Sequence, residues 1–298
     1  YVRVLIVWLC VVACRAPQSV ARDEGVHWPA IIDSHVHLAF DPVADQLRAH
    51  GVEVAVDLAA PERTMRDASA IAVLRAGPML THPNGYPLDA WGSDGYGIGC
   101  ADPACVRSAI DRLADEGARV IKLAGDRDGL DPALMPVAVE AAHAKHLKVA
   151  IHALSDEGAL VGARAGVDVL AHTPTEPLSS ATIAAWRGRA VISTLAAFGA
   201  AEAVENLRKL RAAGLTILYG TDLGNLRVDG ASRDEVELLR AAGLDDAAIT
   251  AAMTTTPRTF WGLADAPDTY LVLRGDPRRD ASVLLAPVSV VVHGKPVE

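Results

Sequence analysis

Two histidines separated by a single residue, His35 and His37, end an apolar run that begins at Ala30. Successive side chains of a β-strand point to opposite faces, so these two imidazoles would lie on the same face. Imidazole is the commonest metal ligand in proteins, and a pair on one face can bind one ion. The same pair is also typical of an ordinary surface strand, so the rest of the chain must decide between the two interpretations.

Four further residues of metal-ligand type each stand near the end of a separate apolar run: Lys122, His152, His172 and Asp222. Any one of them alone would be expected to have a structural partner. All four join the histidine pair in one candidate metal site if the segments that carry them end on the same side of the fold.

The chain alternates apolar runs of strand length with amphipathic stretches of helix length from residue 30 onward, which predicts βα units around a parallel sheet. We predict strands over residues 31–37, 52–58, 78–81, 120–123, 149–153, 167–172, 190–195 and 216–222. Helices are predicted between them, over 106–116, 134–146, 156–165, 180–186 and 201–213 among others. Eight strands with eight helices predict an α/β fold, a closed (β/α)8 TIM barrel over residues 30–264. Its active site would lie at the C-terminal ends of the strands, where the six residues fall.

The first 21 residues predict a signal peptide, because Arg3 precedes an apolar run over 4–13 that is too short to span a bilayer as a helix. The ending Val11-Val12-Ala13-Cys14 resembles the lipobox of bacterial lipoproteins, in which Cys14 would carry a lipid anchor. The other interpretation is a cleaved signal that ends near Ala16 or Ala21. Both predict an exported protein of the periplasm or cell surface.

Composition limits the classes of partner. The net charge of −9 disfavours nucleic acid, which leaves small molecules and a homo-oligomer as the expected partners. Export would allow disulfides to persist, so Cys100 and Cys105 are either bonded in a small loop or two free thiols. Between them, Asp102 can cap a helix that Pro103 begins.

These residues together resemble the amidohydrolase superfamily, with the order His-x-His, Lys, His, His, Asp on strands one, four, five, six and eight. The segments 118–122, 152–153, 165–172 and 220–222 look most like the branch of imidazolonepropionase-related proteins and Xaa-Pro dipeptidases. The resemblance covers about residues 30–298.

The resemblance implies two divalent metal ions. It assigns His35, His37 and Asp222 to one ion, and His152 with His172 to the other. Lys122 would bridge both ions as a carboxylated lysine; the alternative is an unmodified cation paired with an Asp beside a one-metal site. Zinc suits such ligands best, although manganese, cobalt or iron could bind them.

The implied activity is hydrolysis of an amide bond in a peptide-like or N-acyl amino acid substrate. A hydroxide that bridges the ions would attack the carbonyl, and Asp222 would carry the proton to the leaving group. The same site could serve a lactone, cyclic imide or organophosphate ester. A different interpretation is a surface lipoprotein that binds a ligand or metal without catalysis.

Four residues are candidates for substrate binding: His82, Tyr86, Tyr219 and Arg227. The loop after strand three resembles the Pro-Gly-Gly-His loop of related hydrolases, with Tyr86 at the His position. Leu154 stands where many relatives of this branch carry a further His, so a less polar pocket is expected.

The chain ends also depart from the family plan, in which strands before and after the barrel build a small β-sandwich. About a dozen residues separate the predicted leader from strand one, so we expect the front part to be nearly absent. Residues 265–298 predict a small β appendage with strands over 270–273, 282–285 and 289–293.

Overall fold

The computed structural model describes residues 25–126 and 128–297. The strands in these residues are β1 Val26–Pro29, β2 Ile31–Val36, β3 Val52–Asp57, β4 Ala72–Arg75, β5 Met79–Thr81, β6 Gly97–Gly99, β7 Val120–Ala124, β8 Lys148–His152, β9 Val169–Leu170, β10 Ala190–Ile192, β11 Thr216–Leu218, β12 Tyr270–Leu273, β13 Ser289–Val292 and β14 Lys295–Pro296. The α-helices are α1 Ala44–Ala49, α2 Pro103–Asp115, α3 Met135–His143, α4 Asp156–Ala165, α5 Ser180–Ala185, α6 Leu195–Phe198, α7 Ala201–Ala212, α8 Arg233–Ala241, α9 Asp246–Met253 and α10 Thr255–Phe260.

Parallel strands form a closed barrel, as the sequence predicts. One run of paired strands is β2-β3-β4 and the other is β11-β10-β9-β8-β7-β5, with β6 outside β5. The barrel closes where the Ser34 amide donates to the Tyr219 carbonyl at 2.9 Å and the Asp222 amide donates to the His35 carbonyl at 2.8 Å. The first and eighth strands of the barrel are therefore neighbours, which brings His35 beside Asp222.

The third barrel strand is longer than predicted and is interrupted. It comprises β4, which pairs with β3, and β5, which pairs with β7, with Gly77 between them at a φ of +71°. Pro78 follows and has no amide hydrogen for a strand ladder, so the pairing breaks here. The prediction of a helix after every strand is wrong at strand two, because residues 58–71 form only the 3₁₀ turn Glu62–Thr64.

The apolar core has two parts that follow the alternation of side chains along each strand. Val120 belongs to the cluster inside the barrel, whereas Ile121 and Leu123 belong to the cluster between the barrel and its helices. Lys122 has the same parity as Val120 and therefore enters the barrel. Trp261 belongs to the inner cluster, and its indole donates to the Ser34 hydroxyl at 3.2 Å.

A separate four-stranded antiparallel sheet has the order β1-β12-β13-β14. The expectation that the part before the barrel is nearly absent was therefore wrong: Val26–Pro29 pairs with Tyr270–Leu273. The predicted strand over 282–285 was also wrong, since Ala281–Leu285 is a 3₁₀ helix that the Asp280 side chain caps by accepting from the Ser282 amide. The boundary at residues 264 and 265 stays a prediction.

The region between strands three and four contains the Cys100–Cys105 disulfide, so the bonded form is the correct one of the two alternatives. Asp102 caps α2 as predicted, because its side chain accepts from the Cys105 amide at 2.9 Å and Pro103 is the first helical residue.

The predicted signal peptide and the candidate lipid anchor at Cys14 lie outside the described residues. Over residues 25–126 and 128–297, no helix is long and apolar enough to cross a membrane.

Candidate metal centre

Both imidazoles of the first strand are held through their Nδ1 atoms. His35 Nδ1 lies 2.8 Å from the Ala171 carbonyl and His37 Nδ1 lies 3.2 Å from the Ala59 carbonyl. A carbonyl only accepts hydrogen bonds, so each Nδ1 must carry the hydrogen, and each Nε2 of a neutral ring is left as an acceptor. Backbone carbonyls commonly orient metal-binding histidines in this way.

The two free Nε2 atoms point at each other and at Asp222. They lie 3.3 Å apart, and Asp222 Oδ1 lies 3.1 Å from His37 Nε2 and 3.5 Å from His35 Nε2. Burial, followed by the charge of Lys122, holds the pKa of His35 well below its usual range, which keeps this ring neutral. Two buried ring nitrogens and a carboxylate oxygen converge here, and a shared cation would be stabilised by all three.

Asp222 stands four residues beyond the end of β11 in a left-handed conformation, with a φ of +57°. Burial raises the pKa of its carboxyl, but His35, His37 and Asn225 outweigh burial and bring the pKa to about 2. Asn225 donates to both carboxylate oxygens at 3.1 and 3.2 Å. The carboxylate is therefore ionised and fixed in direction at neutral pH.

His172 lies on the other side of Asp222. Its Nδ1 is 3.9 Å from Asp222 Oδ2 and 3.1 Å from the Thr194 hydroxyl, and its ring centroid is 4.5 Å from that of His35. One ligand atom from each of His35, His172 and Asp222 lies within 4.8 Å of the others, and all three residues are buried. His172 follows β9 rather than ending it, because that strand stops at Leu170.

Lys122 and His152 complete the set of six. Lys122 is only 1% exposed, and burial lowers the pKa of its amine to about 7, against a weaker opposing effect of Asp222. A substantial fraction of the amine is then neutral at pH 7, the form that reacts with carbon dioxide. Burial and then Lys122 lower the pKa of His152 to about 4, so this imidazole is also an available ligand.

These donors fit a divalent metal centre. Neutral imidazoles and an ionised carboxylate are ligands that zinc accepts, and the centre lies at the C-terminal ends of the barrel strands. The structure brings all six of the predicted ligands into one region.

The candidate substrate contacts separate into two groups. Tyr86 lies against the site, with its ring stacked on His152 at 4.7 Å between centroids. His82 and Arg227 are exposed and do not line the cavity beside the metal centre. Tyr219 is buried in the core, where its hydroxyl accepts from the Ser232 amide at 2.7 Å.

Several residues that sequence reasoning passed over also belong to the site. Asp126 Oδ2 is 3.6 Å from His152 Nε2. Asn225 forms a hydrogen bond with Asp222, and Thr194 forms one with His172. Asp126 could have been found from its place just after strand four. Asn225 and Thr194 carry no signal of their own in the sequence.

Comparisons with known proteins agree with this architecture. No family model matches the chain. An uncharacterised protein of Mycobacterium tuberculosis is 24% identical over 92% of this chain and 85% of its own. A solved Xaa-Pro dipeptidase with bound methionine superposes with a TM-score of 0.79 at 19% identity, covering 93% of this chain and 87% of its own.

Two other solved structures show the same likeness. A protein described as an amidohydrolase has a TM-score of 0.77 at 18% identity, with coverage of 92% and 86%. The ochratoxinase of A. niger has a TM-score of 0.76 at 18% identity, covering 91% of this chain and 83% of its own. The chain has the amidohydrolase fold. In this fold, the candidate metal centre described above lies at the mouth of the barrel.

Proposed function

We propose that this protein is a metal-dependent hydrolase of amide bonds. The observation that supports this most strongly is the convergence of His35 Nε2, His37 Nε2 and Asp222 Oδ1, with both Nδ1 atoms already bound to carbonyls. The likeness to amidohydrolases and a dipeptidase supports the choice of an amide over other bonds.

His35, His37 and Asp222 would hold one ion, His152 and His172 the second, and carboxylated Lys122 would lie between them. When bound, such ions supply an acidified water at neutral pH and polarise a carbonyl oxygen. Zinc is the best fit to the mixed nitrogen and oxygen donors.

Asp222 is the proposed proton carrier. Its carboxylate is ionised, and Asn225 fixes its direction. It can accept the proton of the attacking water and then release it to the departing nitrogen, which must be protonated before the C–N bond breaks.

Tyr86 is the proposed donor to the substrate carbonyl. Burial raises the pKa of its hydroxyl to about 12, so the hydrogen is retained at neutral pH. The ring also forms part of a cavity of about 240 Å³ beside the metal ligands, a volume that suits a small substrate.

We also infer that the protein works outside the reducing cytosol. The Cys100–Cys105 disulfide supports this location, as does the predicted leader, since disulfides persist mainly in oxidising compartments.

The test combines metal analysis with hydrolysis assays on the full chain, produced in cultures with added zinc and bicarbonate. We expect about two ions per chain and turnover of at least one small amide, and the His172→Ala and Asp222→Asn variants should lose nearly all turnover. His293→Ala is the matched control, because the His293 side chain is 83% exposed and lies in the turn between β13 and β14. Full activity in both site variants would rule out the proposed mechanism.

A further inference from the structure

The cavity beside the candidate metal centre has apolar as well as ligand-type lining residues. Met79, Trp91, Leu154, Ala197 and Phe198 line it together with Tyr86 and the proposed ligands. Apolar walls bind the apolar parts of a ligand and keep water out. The part of a substrate that lies beyond its scissile bond would therefore contact hydrocarbon and aromatic surface.

Aromatic residues are concentrated here although they are scarce in the chain, which has only three Phe, five Trp and five Tyr. Trp91 packs edge-on against Tyr86, with 5.7 Å between ring centroids, and is supported from behind by Phe40 at 5.1 Å and Tyr96 at 5.4 Å. Phe198 faces them from the other side, 4.9 Å from the His172 ring. Such a supported wall suits a flat or bulky apolar group.

The surface around the cavity is acidic. A neighbouring cavity of about 550 Å³ shares Leu154 with the first, and its charged lining residues are Asp126, Glu157 and Glu176. Glu157 and Glu176 are both exposed. Their charges would repel an anionic group that approaches the metal centre through this side.

Among the described residues that line the two cavities, Lys122 is the one cationic side chain. Lys122 is buried among the proposed metal ligands. Its amine nitrogen would be carboxylated in the proposed centre and would then carry no positive charge. Burying a carboxylate without a cation or several hydrogen-bond donors is unfavourable, because the carboxylate loses its hydration without compensation. Among these residues, a substrate carboxylate on the apolar side of the cavity would therefore find no cationic side chain to pair with.

We propose that the site selects amides whose groups next to the scissile bond are uncharged and aryl or bulky apolar, and that it discriminates against a free carboxylate there. This inference rests on the proposed amide-hydrolase function. It narrows the predicted peptide-like and N-acyl amino acid class to compounds whose carboxyl group is masked as an amide or ester.

The test uses matched substrates that differ in charge but hardly in shape. Cleavage of the bond that both members of a pair share is followed by release of acetate or benzoate, because each uncharged member carries a second amide bond. We would compare 4-acetamidobenzamide with 4-acetamidobenzoate, and N-benzoylglycinamide with N-benzoylglycine, on the zinc-loaded full chain. The uncharged member of each pair should have a kcat/KM about tenfold or more higher, because it loses no ionic hydration. Equal or faster hydrolysis of the carboxylates would overturn the proposal.

A substitution at the boundary of the two cavities tests the cause of the selectivity. Leu154→Arg supplies a cation and should raise kcat/KM for the carboxylates while lowering it for the amides. Leu154→Met, similar in volume and uncharged, should leave the ratio unchanged. Glu157→Gln should improve the carboxylates by about twofold at low salt, an effect that screening removes at about 1 M salt. A ratio that changes with neither Leu154→Arg nor Glu157→Gln would contradict the electrostatic explanation.

Binding measurements separate failure of this inference from failure of the proposed function. Calorimetric titration of the Asp222→Asn variant with the same four compounds requires no turnover. If the uncharged compounds bind more tightly but no amide is hydrolysed by the wild type, the substrate preference stands and the proposed reaction fails. If the carboxylates bind more tightly, the inference itself is wrong.

Discussion

Thr221 donates its hydroxyl hydrogen to Asp33 Oδ2 at 2.6 Å, and the Thr221 amide donates to Asp33 Oδ1 at 3.0 Å. Asp33 also accepts from the amide of His35 at 3.1 Å, while Thr221 directly precedes Asp222. This buried carboxyl therefore joins the strand that carries two proposed ligands to the segment that carries a third. The relative position of these ligands depends on it.

We predict that Thr221→Val lowers both stability and zinc affinity. Removal of the hydroxyl leaves a buried carboxyl oxygen without its donor, at a cost of about 1–3 kcal/mol in the free energy of unfolding. Loss of an orienting contact should weaken zinc binding by about 10–100-fold. Urea unfolding of the metal-free protein and competition with a zinc chelator would measure the two effects. Thr221→Ser keeps the hydroxyl and should resemble the wild type; a Thr221→Val protein with unchanged zinc affinity would refute the positioning role.

The buried amine of Lys122 should make loading of the second metal ion dependent on carbon dioxide and pH. With the pKa lowered to about 7 by burial, the reactive neutral amine increases as the pH rises through 7. We expect faster bicarbonate-dependent loading at about pH 8 than at about pH 6. Elemental analysis over time and intact mass would report this. The Lys122→Glu variant carries its own carboxylate, so its loading should not respond to bicarbonate; a response equal to that of the wild type would contradict carboxylation.

Two substitutions at Tyr86 separate its hydroxyl from its ring. Tyr86→Phe keeps the stack on His152 but removes the proposed donor, and should lower kcat by about 100-fold if that donor acts on the developing oxyanion. Tyr86→Leu should also raise KM, because the aromatic surface is lost. Steady-state kinetics with a neutral amide would measure both constants. Wild-type kcat in Tyr86→Phe would remove the hydroxyl from the mechanism.

Glu235 should make the fold less stable as the pH rises. Its side chain is buried and accepts from the Ala196 amide at 2.7 Å, and burial raises the pKa of its carboxyl from 4.5 to about 7. The folded chain thus keeps a proton that the unfolded chain releases. The stability from this group is fully present below about pH 4.5 and is lost as the pH rises to about 7.

Between about pH 5 and pH 7.5, the wild type should accordingly lose roughly 1–3 kcal/mol more unfolding free energy than the Glu235→Gln variant. Urea titrations at both pH values would measure this difference. Asp234→Asn, an exposed carboxylate in the same helix, is the control and should follow the wild type. If the unfolding free energies of Glu235→Gln and the wild type change with pH in parallel, Glu235 does not cause the expected loss of stability.

The Cys100–Cys105 disulfide closes a short loop, so its contribution should be modest. We expect the Cys100→Ser/Cys105→Ser double variant to lose about 2 kcal/mol of unfolding free energy from loop-closure entropy. Thermal unfolding with and without reductant would measure it. Reductant should shift the Tm of the wild type toward that of the double variant and leave the Tm of the double variant unchanged. A wild-type Tm that is the same with and without reductant would contradict this prediction.

Residue order and local periodicity were sufficient for the barrel and for the six proposed ligands. Apolar strands alternate with helices in a pattern that the sequence displays directly, and parallel strands of a barrel end at one face. His35, His152 and Asp222 could therefore be placed together without coordinates. Local signals were equally informative at Asp102 and Pro103, where a cap and the first helical residue are adjacent.

Local pattern failed where contacts outside the segment decide its conformation. The apolar run over 282–285 reads as a strand, yet the Asp280 cap and the packing of Leu284 into the core make it a 3₁₀ helix. Val26–Pro29 becomes a strand only because Tyr270–Leu273 supplies its hydrogen-bond partners. Neither partner is visible from the segment itself.

The sequence by itself thus determined which residue types could bind metal and at which end of the barrel they lie. Only the tertiary structure decided what holds and surrounds them: Asp33 joined to Thr221, Asn225 directing Asp222, and Tyr86 rather than Tyr219 beside the cavity. The physical reason is that ligand type and strand parity are properties of short segments. Hydrogen bonds and packing across the barrel join residues as far apart as Asp33 and Thr221, and no period in the sequence records them.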